Sequence, residues 1–253
     1  CKVVGNYSSE DLTYNEINSL SEIIHSNLAL YDGFIVTHGT DTMHYTAMSL
    51  SFSLENLSKP VVLTGAQRSS DRSSSDAFMN LQNSVNWINQ CIPGVVLCMH
   101  SSVNDDNCLI IDGLHARKNH SSRRDAFKPI NSSELAIINS QKCLIKNQLV
   151  KPVGECKLHL FNPSLKVATL YITPNMQNLP LNFEGLDALI IIGTGMGHTP
   201  KYLHDKLSSL SIPIFMSTQT ISGVVNMQVY GNGRKLIDLG VLGNGLDLMP
   251  ESL

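Results

Sequence analysis

The chain has 253 residues, of which 42% are hydrophobic and only 15% are charged, a composition that supports a packed core and excludes wholesale disorder. Eighteen basic and twenty-one acidic residues leave a net charge of −3, which argues against a broad phosphate-binding surface but not against a local basic patch. The apolar runs are much shorter than the ~20 residues of a membrane span and no signal-peptide pattern opens the chain, so we expect a cytoplasmic protein with no membrane partner.

The first third of the chain alternates between helical and strand patterns. Thr13 and Glu16 form a T-x-x-E capping box, which predicts the start of a helix over residues 14–28. Further on we expect a strand over 33–37, a helix over 43–57, a strand over 61–63, a helix over 76–89 and a strand over 94–99.

The helix predicted at 76–89 has apolar residues at helical spacing. They are Phe78, Leu81, Val85 and Ile88, and we expect this stripe to face the core. Because the order is strand–helix–strand with short connections, the three early strands should be adjacent and parallel.

The rest of the chain completes a two-domain α/β architecture. Residues 104–163 break the pattern and predict irregular strands and a connector. A second set follows, with strands over 167–172, 188–192 and 212–216 and helices over 201–209 and 234–239. We therefore predict a parallel-sheet N-terminal domain at 1–163 and a smaller α/β C-terminal domain at 164–253.

Six cysteines occur without a C-x-x-C pair, which favours reduced cytosolic thiols over a disulfide framework or a zinc site. The chain opens on Cys1 rather than methionine and closes on Pro250-Glu251-Ser252-Leu253. Both ends suggest a fragment, with the first domain incomplete at its start and the second incomplete at its end.

Polar residues follow the predicted parallel strands, at the edge where an open α/β sheet binds ligands. His38-Gly39-Thr40-Asp41-Thr42 follows one strand and Thr64-Gly65-Ala66-Gln67-Arg68 follows the next. Thr40 or Asp41 could simply cap the next helix. Alternatively, a hydroxyl lies where backbone N–H groups stabilise negative charge, and Asp41 with a lysine could form a relay with it.

Other site classes have weaker support. The histidines lack paired metal-binding spacing, and Gly193-Thr194-Gly195-Met196-Gly197 is not a dinucleotide fingerprint, so we interpret it as a tight turn between domains. The densest basic run contains Arg117, Lys118, Arg123, Arg124 and Lys128. It is compatible with a solvated face, an RNA-facing patch or a buried catalytic lysine.

Several motifs resemble the asparaginase/glutaminase family. They are His38-Gly39-Thr40-Asp41-Thr42-Met43 and Thr64-Gly65-Ala66-Gln67-Arg68. Longer blocks are similar to one branch, the D subunits of archaeal glutamyl-tRNA(Gln) amidotransferases. These blocks are Met43-His44-Tyr45-Thr46, Gly65 to Arg72, Ser121 to Phe127, Gly193 to His198 and Val225 to Tyr230.

The resemblance implies hydrolysis of a side-chain amide by a threonine nucleophile, without metal or cofactor. The donor would be asparagine or glutamine. The ammonia would pass to a partner protein, the amidotransferase's E subunit, which uses ATP to amidate glutamyl-tRNA(Gln). A homodimeric core is also implied.

Carried over residue by residue, the resemblance implies that Thr40, Asp41 and Lys118 are catalytic. It places Ser9 and Glu10 in a loop that holds the donor's α-amino and α-carboxylate groups. The backbones of Gly39 and Ala66 would meet the substrate and its oxyanion.

One departure from the family pattern is that its other catalytic threonine lies in a T-G-G-T motif, which is absent from these 253 residues. We therefore expect the chain alone to be inactive. A stand-alone cytosolic L-asparaginase and a non-catalytic amino-acid-binding protein remain alternatives. The Arg123 to Phe127 block argues against the first, and the retained catalytic residues argue against the second.

Overall fold

The protein is described by a computed structural model that covers residues 1–147 and 149–253. The chain divides into two compact units, Cys1–Pro163 and Ser164–Leu253. No helix in the described ranges is both long and apolar enough to cross a bilayer.

In residues 1–147 and 149–163, the first unit contains three α-helices and ten strands. The helices are α1 (Tyr14–Ser26), α2 (Met43–Ser53) and α3 (Ala77–Ile88), preceded by a 3₁₀ turn at Ser9–Asp11. The strands are β1 (Phe34–Thr37), β2 (Leu54–Glu55), β3 (Pro60–Thr64), β4 (Gly94–His100), β5 (Cys108–Asp112), β6 (Ala116–Lys118), β7 (Phe127–Pro129), β8 (Ala136–Ile138), β9 (Cys143–Ile145) and β10 (Lys157–Leu158).

The described part of this unit forms a main sheet of six strands in the order β1-β3-β4-β5-β8-β9. β1, β3 and β4 are parallel neighbours, as the crossover pattern predicted, and the last three strands continue the sheet antiparallel. β2 pairs with β10, and β6 forms a hairpin with β7. β1 is an edge strand within the described residues, since β3 is its single partner in the sheet.

The sheet has an apolar core on each face because alternate strand residues point in opposite directions. Val61 and Leu63 pack with residues of α1 and α2 on one face. Val62 packs with Trp87 of α3 on the other face. Helices therefore cover both faces, and the carboxyl ends of β1 and β3 meet at one edge.

The second unit is a smaller α/β unit built on a three-stranded parallel sheet in the order β11-β12-β13. Its strands are β11 (Val167–Tyr171), β12 (Ala188–Gly193) and β13 (Ile214–Thr218), and its helices are α4 (His204–Ser208) and α5 (Gly231–Asp238). Three 3₁₀ turns lie at Met176–Asn178, Lys201–Leu203 and Pro250–Ser252.

The structure confirms the capping box. The Thr13 side chain accepts from the backbone at the helix start, and Glu16 accepts from the Thr13 amide. The second helix is shorter than predicted, because Asn56 adopts a left-handed φ of 57° and the preceding pair, Leu54–Glu55, joins β10.

The predicted inward stripe of the third helix is wrong for three of its four residues. Phe78 is 77% exposed, and Leu81 and Val85 are also exposed, whereas Ile88 packs against the core as predicted. The residues buried against the sheet are Asn80, Asn83, Ser84 and Trp87. Asn80 donates to the Gly65 carbonyl and Asn83 donates to Cys108, so the polar face is the inner one.

The second unit departs from expectation at its turns. The glycine segment after β12 is a turn inside this unit, not a connection between domains, with hydrogen bonds between the backbones of Thr194 and His198. Gly195 and Gly197 have φ values of 52° and 93°, which glycine adopts without steric strain. The helix predicted at 201–209 begins as the 3₁₀ turn, and the last strand starts at Ile214, after Pro213.

Candidate active site

The loops after β1 and β3 lie against each other. The His38 amide donates to the Thr64 carbonyl at 2.9 Å and extends the parallel ladder by one bond. A Cβ at Gly65 would lie 2.3 Å from the His38 carbonyl oxygen and 3.3 Å from Thr40 Cγ2, so only glycine fits. This contact brings the Gly65–Ala66 turn next to Thr40.

Lys118 joins this edge of the sheet from the β6–β7 hairpin. Its Nζ lies 3.0 Å from Thr40 Oγ1 and 2.5 Å from Asp41 Oδ1. The Lys118 side chain is 10% exposed, whereas that of Asp41 is 68% exposed. The predicted convergence of these three residues is confirmed, and their catalytic role stays a prediction.

Buried and hydrogen-bonded residues of the β6–β7 hairpin hold Lys118 in place. Lys118 is paired across the hairpin with Phe127, which is fully buried. The turn is closed by the Asn119 amide on the Ala126 carbonyl and by a two-point bond from Arg123 to Asp125. A long side chain anchored in this way has fewer conformations to lose when it contacts Thr40.

Neither Thr40 nor Asp41 caps the helix that follows. The N-cap of α2 is Thr42, and its hydroxyl donates to the Ser9 carbonyl at 2.7 Å instead of capping the helix. The capping interpretation is therefore wrong. The Thr40 and Asp41 side chains are instead engaged by Lys118.

Ser9 is brought to the same place and Glu10 is on the surface. Ser9 is buried, and a Cβ at Gly39 would lie 2.7 Å from its Cβ. Glu10 follows it in the 3₁₀ turn and is exposed. Ser9 thus lies against Gly39, which is next to Thr40 in sequence, and Ala66 follows Gly65 on the turn that packs against Thr40.

Two histidines lie near the loop, His38 within it and His44 at the start of α2, and the sequence had suggested no separate role for either. His38 Nδ1 lies 2.6 Å from the Gly39 carbonyl, so it donates, and Nε2 lies 2.9 Å from Thr46 Oγ1 and accepts. Burial lowers the pKa of His38. His44 has a pKa lowered to about 4, by burial first and then by the charges of Arg117 and Lys118.

The basic run is largely tied to neighbouring acids. Arg123 and Lys128 both contact Asp125, Lys128 also donates to the Ser101 carbonyl, and Arg124 pairs with Asp105 at 2.6 Å. Because these side chains are paired with acids, the run fits a solvated face or an RNA-facing patch less well. The contacts favour the third interpretation, in which the run contains a buried lysine, Lys118, that lies in the site. In residues 1–147 and 149–253, no three His, Cys, Asp or Glu side chains are grouped so that they could hold a metal ion.

The arrangement combines a hydroxyl, a carboxylate and an amine beside a glycine turn. Thr40 Oγ1 can pass a proton to Lys118 when the amine is neutral, and Asp41 orients the same Nζ. The backbone groups of Gly39 and Ala66 lie on the loops that border Thr40. Such a set suits attack on a neutral carbonyl carbon with charge developing on its oxygen.

Both halves of the chain match family models. Residues 1–151 match "Asparaginase, N-terminal", and residues 166–253 match "Glutaminase/Asparaginase C-terminal domain".

Curated relatives and solved structures agree with this match. The D subunit of glutamyl-tRNA(Gln) amidotransferase from Methanosphaera stadtmanae is 40% identical over 99% of this chain and 59% of its own length. The corresponding protein from Methanococcus vannielii is 43% identical over 83% of this chain and 52% of its own length. The chain thus spans about half the length of these relatives. The thermostable L-asparaginase from Thermococcus kodakarensis has a TM-score of 0.85 at 28% identity, covering 98% of this chain and 75% of that one.

Proposed function

The chain belongs to the asparaginase family, and from this premise we propose that it hydrolyses the side-chain amide of asparagine or glutamine to release ammonia. The observation that carries the proposal is the contact of Lys118 Nζ with both Thr40 Oγ1 and Asp41 Oδ1. A hydroxyl held by an amine and a carboxylate supports threonine chemistry, in which water converts the amide to a carboxylate and ammonia.

Each site residue has a proposed role in that reaction. Lys118 accepts the Thr40 proton and Asp41 orients the lysine. Ser9 and Glu10 bind the charged groups of the donor amino acid, and backbone N–H groups at Gly39 and Ala66 stabilise the oxyanion. We also propose that the ammonia serves the amidation of glutamyl-tRNA(Gln), with the amidotransferase's E subunit as the partner. The similarity to D subunits supports this.

The 253 residues contain no T-G-G-T motif, so the test compares the chain with a fusion that places a T-G-G-T strand from a relative ahead of Cys1. Ammonia release from asparagine and glutamine is measured for each. We expect little activity from the chain alone, since loss of one member of a catalytic unit commonly costs several orders of magnitude. Brisk hydrolysis by the unfused chain would contradict the assignment.

Substitutions in the active fusion test the roles. Thr40→Ala and Lys118→Met should each lower kcat by about 10³-fold or more. Lys128→Met is the matched control, because Lys128 lies on the other strand of the hairpin and bonds to Ser101 and Asp125 rather than Thr40. Equal losses in Lys118→Met and Lys128→Met would show that the hairpin matters only for folding.

A stand-alone asparaginase is the second candidate, favoured by the likeness to the Thermococcus kodakarensis enzyme. Adding the E subunit together with glutamyl-tRNA(Gln) discriminates between the two. A rise in donor hydrolysis when both are added supports the amidotransferase role. Full hydrolysis without any response supports the stand-alone enzyme.

A further inference from the structure

The inner face of α3 carries a buried amide, Asn80, with a complete set of partners. Its Nδ2 donates to the Gly65 carbonyl at 2.9 Å and to Asp76 Oδ2 at 3.1 Å. Its Oδ1 lies 2.6 Å from His100 Nδ1 and 3.4 Å from Cys108 Sγ. Exchanging the amide oxygen and nitrogen would place an oxygen against a carbonyl and a carboxylate, so the orientation is determined.

The hydrogen-bond partners of His100 likewise determine its protonation state. Nδ1 must donate to Asn80 Oδ1, and Nε2 faces Asp105 Oδ1 at 3.1 Å. An ionised carboxylate only accepts hydrogen bonds, so both ring nitrogens carry protons and His100 is a buried imidazolium. Burial lowers the pKa of His100, but the neighbouring Cys108 and Asp105 outweigh burial and raise this pKa overall.

Asn80 acts together with Asp76, one helical turn before it. Both side chains are fully buried. The Asp76 carboxylate accepts from the Gln67 amide at 3.1 Å and from the Arg68 amide at 3.0 Å. The start of α3 therefore holds the backbone on both sides of Ala66.

The Gly65–Arg68 turn cannot move without changing its distance to Thr40. Gly65 is packed against the His38 carbonyl and Thr40 Cγ2 with no room for a Cβ. A shift of this turn by a fraction of an ångström would thus displace the Ala66 backbone relative to the Thr40 hydroxyl. Misplacement of about 1 Å can cost ~10²-fold in rate.

We infer that Asn80 is a positioning residue, which with Asp76 sets the Ala66 backbone against Thr40 and is itself oriented by His100. The placement of the turn stands on contacts alone. Its catalytic consequence rests on the proposed function.

Amide hydrogen exchange tests the placement without any substrate. In Asn80→Ala, the Gln67 and Arg68 amides of the 253-residue chain should exchange at least ~10-fold faster than in the unsubstituted chain. Asn83→Ala is the matched control, because Asn83 is equally buried on the same helix face and donates to Cys108 instead of the turn. Unchanged exchange in Asn80→Ala, or equal acceleration in both variants, overturns the inference.

Kinetics of the T-G-G-T fusion test the consequence. Asn80→Ala should lower kcat by about 10- to 100-fold, whereas Asn83→Ala should stay within about twofold of the unsubstituted fusion. His100→Gln retains a donor for Asn80 and should keep more activity than His100→Leu. Equal kcat losses in the two asparagine variants overturn the positioning role. An inactive fusion with the expected exchange result overturns the proposed function alone.

Discussion

At the scale of single residues, chemistry depends on which groups a side chain meets rather than on its type. Lys118 and Lys128 lie on opposite strands of one hairpin, yet one reaches Thr40 and Asp41 and the other bonds to Ser101. Both belong to the same basic run in the sequence. The difference arises from the side of the hairpin on which each residue lies.

His44 shows the same dependence in its protonation. It is buried beside the rings of Tyr45 and Phe127, and its Nδ1 has no hydrogen-bond partner among the described residues. A charged imidazolium is disfavoured there by burial and by the neighbouring Arg117 and Lys118.

We predict that His44 destabilises the protein in acid. Its pKa is about 4 in the folded state against an ordinary 6.5, so between these values the unfolded chain binds a proton that the folded chain does not. Stability should therefore fall as pH drops from 6.5 towards 4, by about 3 kcal/mol for this group. His44→Phe should remove that part of the slope.

Urea unfolding of both proteins from pH 4 to 7.5 measures this effect. The free energy of unfolding of His44→Phe should exceed that of the unsubstituted protein by a margin that grows as the pH falls. A constant difference between the two curves across that range would contradict the lowered pKa.

At the scale of elements, hydrophobic spacing located the third helix and misassigned its faces. The inner face uses Asn80 and Asn83, because the sheet beneath offers His100 and Cys108 as polar partners. The Ser84 hydroxyl donates to the Asn80 carbonyl of its own helix. The spacing of Asp76, Asn80 and Ser84 at four-residue intervals was the available signal. A stripe of short, uncharged polar residues at helical spacing is compatible with burial where partners exist.

This assignment predicts that two substitutions in α3 lower the free energy of unfolding by very different amounts. Phe78→Ser changes an exposed side chain and should alter the free energy of unfolding by no more than ~0.5 kcal/mol. Trp87→Ala empties a fully buried site and should cost ~3–5 kcal/mol. Denaturant unfolding of each variant measures the difference, and a loss in Phe78→Ser as large as in Trp87→Ala would restore the original assignment of the faces.

At the scale of the whole molecule, β1 forms an open edge of the main sheet among the residues that the structure describes. β1 pairs with β3 on one side, and a cavity of about 700 Å³ lies beside it, lined by α1 residues such as Ile17, Leu20 and Ile24 together with Phe34 and Val36. Unpaired N–H and C=O groups next to apolar surface favour association with other strands.

We predict that the 253-residue chain binds a hydrophobic dye and self-associates through this edge. Thr37→Lys places a charge at an exposed position of β1, which should oppose strand pairing between molecules without burying the charge. Light scattering and dye fluorescence measure the two effects. Equal aggregation of the two proteins would locate the association elsewhere.

Much of the fold and part of the candidate site follow from local sequence. The Thr13 capping box, the glycine turns and the alternating strand–helix order depend on neighbours within a few residues, so they predicted the elements and the parallel pairing of β1, β3 and β4. The resemblance suggested Thr40, Asp41 and Lys118. It did not suggest Asp76, Asn80 or His100, whose partners come from different elements.

The sequence by itself determined the class of fold and the segments that end at the site edge. Only the tertiary structure decided that Lys118 contacts Thr40 across 78 residues and that α3 turns its asparagines inward. Both outcomes depend on the order of strands in the sheet and on the hydrogen-bond partners that packing supplies. Local propensity carries no information about either, because it concerns only neighbours along the chain.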